Sequence, residues 1–262
     1  MKNSHRNTTQ ILLPLRKPDS RRGEYDIYPV RDIGEGKISR SVEHLFSELP
    51  AKTLILIDGY SGTFFNNIIE RLSVLYTESD REVPDFIDIS TALKEPAEIS
   101  KLVEDSMGGD DPLFGKRTER SLIEYFDQGR LDEIKQRSIG KNVLVFGTGA
   151  SLVSEKGFLV YMDIPKNEIQ FRSRAGHATN IGTPNISPSH DYKRNYFIDW
   201  IVQNRHKKSI LPAISIFVDA QRPEEITFIN GKILRDTLQQ LACSVVRIRP
   251  WFEPGPWGGT WI

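Results

Sequence analysis

Hydrophobic and polar positions alternate along this chain in two rhythms, and the rhythms take turns. Residues 54–57 are Leu-Ile-Leu-Ile, an unbroken aliphatic run suited to a strand buried on both faces. After a Gly turn, Phe64, Ile68, Leu72 and Leu75 recur at helical spacing, with Glu70, Arg71 and Glu78 on other sides. The same reading predicts strands over 53–57, 84–90, 142–146, 158–163, 212–219 and 226–229, and a closing strand over 245–249. It predicts helices over 39–49, 98–106, 118–126, 131–137, 191–202 and 232–242, with another opening at 169–174. Gly108–Gly115 and 176–189 are rich in turn formers, and the second is long enough for a lid. Strands alternating with helices, several strands almost wholly apolar, predict an α/β fold with a largely parallel sheet and helices on both faces.

The polar first 24 residues predict a flexible tail, ahead of an ordered domain over 25–250. The apolar run of residues 11–15 is broken by Pro14 and is too short for a secretory core, and no stretch approaches a membrane span. Thirty-five basic residues balance thirty-five acidic ones, so no bulk field draws the chain to nucleic acid or to an anionic membrane. One cysteine, Cys243, excludes an internal disulfide and a Cys-based zinc site; its apolar neighbours predict a buried structural thiol. The expected setting is the reduced cytoplasm.

The candidate chemistry gathers at the first strand-to-helix turn, Asp58-Gly59-Tyr-Ser-Gly62-Thr63. A strand, a Gly turn and a helix N-terminus present backbone N–H groups to an anion. The Walker pattern G-x-x-x-x-G-K-[ST] is incomplete: counted from Gly59, the second Gly, the Lys and the hydroxyl fall on Phe64, Phe65 and Asn66. Gly59, Ser61, Gly62 and Thr63 therefore stand as phosphate contacts without the usual cation, opposite the bland reading of a turn that needs Gly for its angles. Lys116, Arg117, Lys193 and Arg194 are candidates to supply that charge from mobile segments, against the commoner role of surface ion pairs. Asp58 and Asp88, at strand ends, are candidates to hold Mg²⁺ or take a proton from a hydroxyl, against a capping role. His177, His190 and His206 fit no metal-ligand spacing, and no Ser sits in a nucleophile elbow.

The order of the Gly59 loop, Asp110-Asp-Pro-Leu-Phe-Gly115, Gly147-Thr-Gly149 and Tyr161-Met-Asp163 resembles P-loop nucleoside kinases of the uridine kinase type. The terminal Trp257-Gly-Gly259 resembles the opening strand of type I phosphomannose isomerases, which are zinc cupins. Together with Asp191-Tyr-Lys-Arg-Asn-Tyr-Phe-Ile-Asp-Trp200, these resemble bacterial phosphomannose-isomerase-like proteins that carry a kinase-like domain before the cupin. The resemblance implies a three-layer P-loop-kinase-like domain, with residues 251–262 as a linker or the truncated start of a cupin. It implies a phosphorylated small molecule as ligand, ATP with Mg²⁺ bound weakly or not at all, and a phosphomannose-isomerase-like cupin as partner in cis or in trans. The cupin's zinc ligands lie beyond Trp-Gly-Gly in that family and are not in this chain. The expected role is therefore regulatory or scaffolding binding, with an active phosphotransferase and a pure interaction module as the alternatives.

Overall fold

The computed structural model describes residues 5–10, 12, 32–183 and 192–244. The closing strand expected at 245–249 and the Trp-Gly-Gly segment lie outside the described residues. Seven strands form one sheet in the order β1-β7-β6-β5-β2-β4-β3. They are β1 (Ile38–Arg40), β2 (Leu54–Gly59), β3 (Asp85–Asp88), β4 (Val143–Phe146), β5 (Phe158–Asp163), β6 (Ile216–Asp219) and β7 (Thr227–Asn230). The five strands from β6 to β3 pair in parallel; β7 runs antiparallel to both β6 and β1. The fold is thus α/β with a mixed, mainly parallel sheet.

Helices cover both faces because the central strands are apolar on both. Ile55 and Ile57 of β2 join a core with Ile68, Leu72 and Tyr76 of α2 (Phe65–Glu78), Leu45 of α1 (Val42–Glu48) and Ile169 of α5 (Lys166–Arg174). Leu56 points the other way, into a core with Ile99 of α3 (Pro96–Val103), Leu131 and Ile134 of α4 (Gln128–Ser138) and Val202 of α6 (Trp200–Ile210). Fully burying a residue such as Leu72 or Ile99 stabilises by about 1.5–3 kcal/mol, so each face anchors its helices independently of propensity.

Several local expectations change. Residues 38–40 form the edge strand β1, and the helix starts later, at Val42, because the Ser41 side chain accepts from the His44 N–H and caps it. Residues 118–126 hold only a short 3₁₀ turn, Leu122–Tyr125, closed by a Ser121/Glu124 capping box. A π-helical turn, Asn195–Asp199, runs directly into α6. Cys243 is exposed, as are Leu238 and Leu241 on the same end of α7 (Gly231–Ala242), so the apolar sequence there does not translate into a covered thiol. At the other end of the chain, residues expected in the flexible tail dock: Arg6 pairs with the fully buried Glu168, and the Asn7 N–H donates to Phe171 O.

Connections leaving β2 and β5 run toward opposite edges of the sheet. That reversal opens a crevice at their carboxyl ends, where ligands of open α/β sheets bind. The Gly59 turn lies there.

Candidate functional site at the carboxyl edge

Two glycine turns leave the sheet side by side, one after β2 and one after β4. Asp58, the last side chain before the first turn, does not face the crevice. It is fully buried and points into the second turn. Its carboxylate accepts from the Gly149 N–H at 2.8 Å, the Ser151 N–H at 3.0 Å and the Ser151 hydroxyl at 2.5 Å. The Gly59 N–H at 2.6 Å and His206 Nε2 at 2.8 Å complete the set. Burial alone would push this carboxyl up; the hydrogen bond and charge of His206, with the Ser151 and Gly149 bonds, outweigh it and hold the carboxyl below its ordinary range.

Ser151 Oγ also lies 3.1 Å from His206 Nε2. No local pattern signals this Asp–Ser–His group, since Ser151 and His206 are 93 and 148 positions from Asp58. One imidazole nitrogen faces both oxygens, so the histidine does not stand between serine and aspartate as a proton relay requires. The group ties β2, the β4 turn and α6 together. The catalytic role expected for Asp58 is corrected accordingly: its oxygens are committed to five donors inside the protein.

The first turn is tied differently. The Tyr60 N–H donates to Met162 O, the Thr63 N–H to Tyr60 O and the Ser61 N–H to Gln203 Oε1, while Gln203 Nε2 donates to Ser61 Oγ. Gly59 is required by closeness: a Cβ there would lie 2.4 Å from Met162 O. Gly62 has φ +86°, a left-handed conformation that suits glycine. Its carbonyl accepts from the buried Arg172 at 2.8 Å. Arg172 also donates to Ala220 O and Gln221 O, pairs with Glu168, and stacks its guanidinium 4.2 Å from the Phe64 ring centre. It reaches the loop as a brace on a carbonyl, with its donors committed there.

What remains open is the start of α2. Its N-cap is Phe64, which offers no side-chain acceptor, and its first turn carries no acidic residue. The starts of α1, α4 and α7 are capped by Ser41, Asp127 and Asn230. Four N–H groups at a helix start need partners from outside it. Among the described residues, those of Asn66 and Asn67, and the N–H of Gly62 before them, have none. The Thr63 hydroxyl is buried and unpartnered as well. These groups border a hollow of about 390 Å³, whose walls include Ser61, Gly62, Thr63, Asn66 and Asn67 on one side. Asp88, Ser90 and Thr148 form another wall, and the 177–182 segment a third. Phe64 and Phe65 form part of its wall without filling it. Asp88 accepts from the Ser90 N–H at 2.8 Å and so caps the following 3₁₀ turn while bordering the hollow.

The proposed cations lie elsewhere. Lys193 donates to the carbonyls of Asp111 and Gly109. Arg194 donates to Ile181 O at 2.6 Å and Thr183 Oγ1 at 2.7 Å, and its Nε lies 3.5 Å from Asp199 Oδ1. Asp199 in turn accepts from Asn180 and the Ile181 N–H, and its burial pushes its pKa up. Arg194 is therefore a positioning residue for the 177–183 wall. Lys116 and Arg117 are exposed and do not border the hollow. Among the described residues no Lys or Arg lines it; the ionisable lining residues described are Asp88 and His177.

Among the described residues, no group of three or more His, Cys, Asp or Glu side chains could hold a metal ion, and no helix is long and apolar enough to cross a membrane. A comparison with curated proteins found no match. Residues 41–243, which hold strands β2 to β7, both glycine turns and the hollow, match a family described as "Domain of unknown function (DUF8485)", and the chain belongs to that family.

Proposed function

We propose that this protein is a binding domain of degenerate P-loop type that takes a sugar phosphate in the carboxyl-edge hollow. Its role is regulatory or scaffolding, beside a phosphomannose-isomerase-type cupin. The observation that carries the reading is the uncapped start of α2 next to the buried, unpartnered Thr63 hydroxyl, both on the hollow. A helix start attracts a phosphate through its N–H groups and its dipole. Asp88, Ser90 and Thr179 border the same space and offer acceptors and donors to sugar hydroxyls. The position of the turn at a reversal in a mainly parallel sheet, with helices on both faces, supports the P-loop-kinase-like reading.

The same geometry disfavours phosphoryl transfer. That chemistry depends on cations and N–H groups gathered on the transferred phosphate. Here the Ser61 N–H is taken by Gln203, Arg172 by carbonyls, and among the described residues no Lys or Arg lines the hollow. Binding without a cation is weak, so affinities near about 1 mM, or about 4 kcal/mol, are expected.

Calorimetric titration with mannose 6-phosphate, mannose and ATP tests the proposal. Heat with mannose 6-phosphate and none with mannose is the expected result. No heat with any of the three at several millimolar, or equal heat with mannose, overturns it. Mg²⁺-dependent loss of ATP in the presence of a sugar would transfer the assignment to a phosphotransferase.

A further inference from the structure

A second hollow, of about 470 Å³, lies at the opposite edge of the sheet, where β2, β4 and β5 begin. Lys52, Lys135, Lys141 and Lys156 border it, together with the hydroxyl residues Thr53, Ser138 and Ser154. No Asp or Glu does. Lys135 shares its charge with Asp132 at 3.0 Å. The ammonium groups of Lys52, Lys141 and Lys156 have no ion pair or hydrogen bond among the described residues, and all three residues are exposed. In a chain of zero formal net charge, this is a local excess of positive charge in a concave site.

The bland account is that lysines gather at the carboxyl end of α4, which finishes at Ser138, to balance its dipole. The magnitudes do not match. A helix end carries roughly half a negative charge. Four lysines with one paired aspartate leave three positive charges, several times what the dipole needs. Lys52 adds a second sign. Its φ of +52° is left-handed, a conformation that L side chains rarely adopt, yet a lysine rather than glycine stands there.

We infer that this amino-edge hollow is a binding site for a compact polyanion of the polyphosphate class. Lysine is a point-charge ligand for phosphate oxygens, and the Thr53 and Ser154 hydroxyls add donors that a bare electrostatic patch lacks, while the buried Ser138 hydroxyl donates to Ile134 O. A concave site of this volume fits a linked set of phosphates better than the flat face of a large polyanion. The inference does not depend on the carboxyl-edge reading, because the two hollows share no lining residue.

The test is titration of the full chain with inorganic triphosphate at low salt, against wild type, the double variant Lys141→Glu/Lys156→Glu, and Thr63→Val. The expected result is binding that weakens at least tenfold in the double variant and at high salt, where charges are screened, and that is unchanged in Thr63→Val. ATP in a parallel arm separates a nucleotide from a free polyphosphate: equal binding assigns recognition to the phosphates, and tighter binding of ATP adds a contact to its base. Three outcomes overturn the inference: no triphosphate binding at several millimolar, binding indifferent to the double variant, or loss in Thr63→Val alone. Binding of a short polyglutamate peptide in the absence of triphosphate binding also overturns it, in favour of an acidic protein partner. Both charge reversals are at exposed positions, so thermal melts of the variants should match wild type.

Discussion

The two glycine turns at the carboxyl edge start from the same sequence idea and end in opposite states. The turn after β4 has found its anion inside the protein: the Asp58 carboxylate sits on the N–H groups of Gly149 and Ser151. The turn after β2 gives its early N–H groups to Met162, Gln203 and its own carbonyls, then leads to a helix start with no cap and a buried hydroxyl with no partner. An N–H cup is thus a structural fastener or a ligand site according to whether the fold delivers a carboxylate to it. The strand-to-glycine pattern is common to both and does not distinguish them.

The comparison breaks most forcefully at Asp58. Asp58→Ala leaves His206, two turn N–H groups and the Ser151 hydroxyl without their acceptor, and a loss of about 3–5 kcal/mol in urea unfolding is expected. A change under about 1 kcal/mol would show that the second turn does not depend on its internal anion. Gly59→Ala follows, at about 1–3 kcal/mol, since the added methyl meets the Met162 carbonyl oxygen. Should that variant melt like wild type, the close approach of β2 and β5 at this point is not a constraint.

Acid titration sharpens the same contrast. The Asp58 pKa is lowered in the fold, so its stabilising contribution is complete above the unfolded value of about 3.9 and is lost as pH falls through the folded value. Asp199 is raised by burial and acts with the opposite sign: stability is gained as pH falls through its folded pKa toward the unfolded one. Urea midpoints measured from neutral pH down to about 3 should therefore fall less steeply in Asp58→Asn and more steeply in Asp199→Asn than in wild type. Parallel acid limbs in all three proteins would contradict these assignments.

The smallest stability effect is expected at Thr63. Thr63→Val removes a buried hydroxyl that has no partner, so the free protein should be within about 0.5 kcal/mol of wild type or more stable. The same change should weaken mannose 6-phosphate by about tenfold, roughly 1.4 kcal/mol. A destabilised Thr63→Val with unchanged binding would reverse the account of that residue.

Most strands and helices were legible because their rhythms are strong. Leu54 to Ile57 allows little but a central strand, and the Phe64–Ile68–Leu72 spacing little but an amphipathic helix. β1 was not, since three residues on a sheet edge carry no period and depend on pairing with β7. Ser61, Gly62, Thr63 and Asp88 could be read as lining residues from their place at strand ends, and they do border the hollow. The fate of Asp58, Lys193 and Arg194 could not. Asp58 is claimed by a turn 91–93 positions away, and Lys193 by carbonyls 82–84 positions away. Arg194 is held by Ile181 O, the Thr183 hydroxyl and the buried Asp199, a choice made by burial rather than by local pattern. A charged residue announces its chemistry in the sequence, but its partner is chosen by topology.

The most direct measurement is an amide ¹H–¹⁵N spectrum followed while mannose 6-phosphate is added. The account predicts that the Gly62, Asn66 and Asn67 resonances move together and saturate, while Gly149 and Ser151, already occupied by Asp58, stay fixed. Movement of Gly149 and Ser151, or a spectrum that does not change at all, would contradict it.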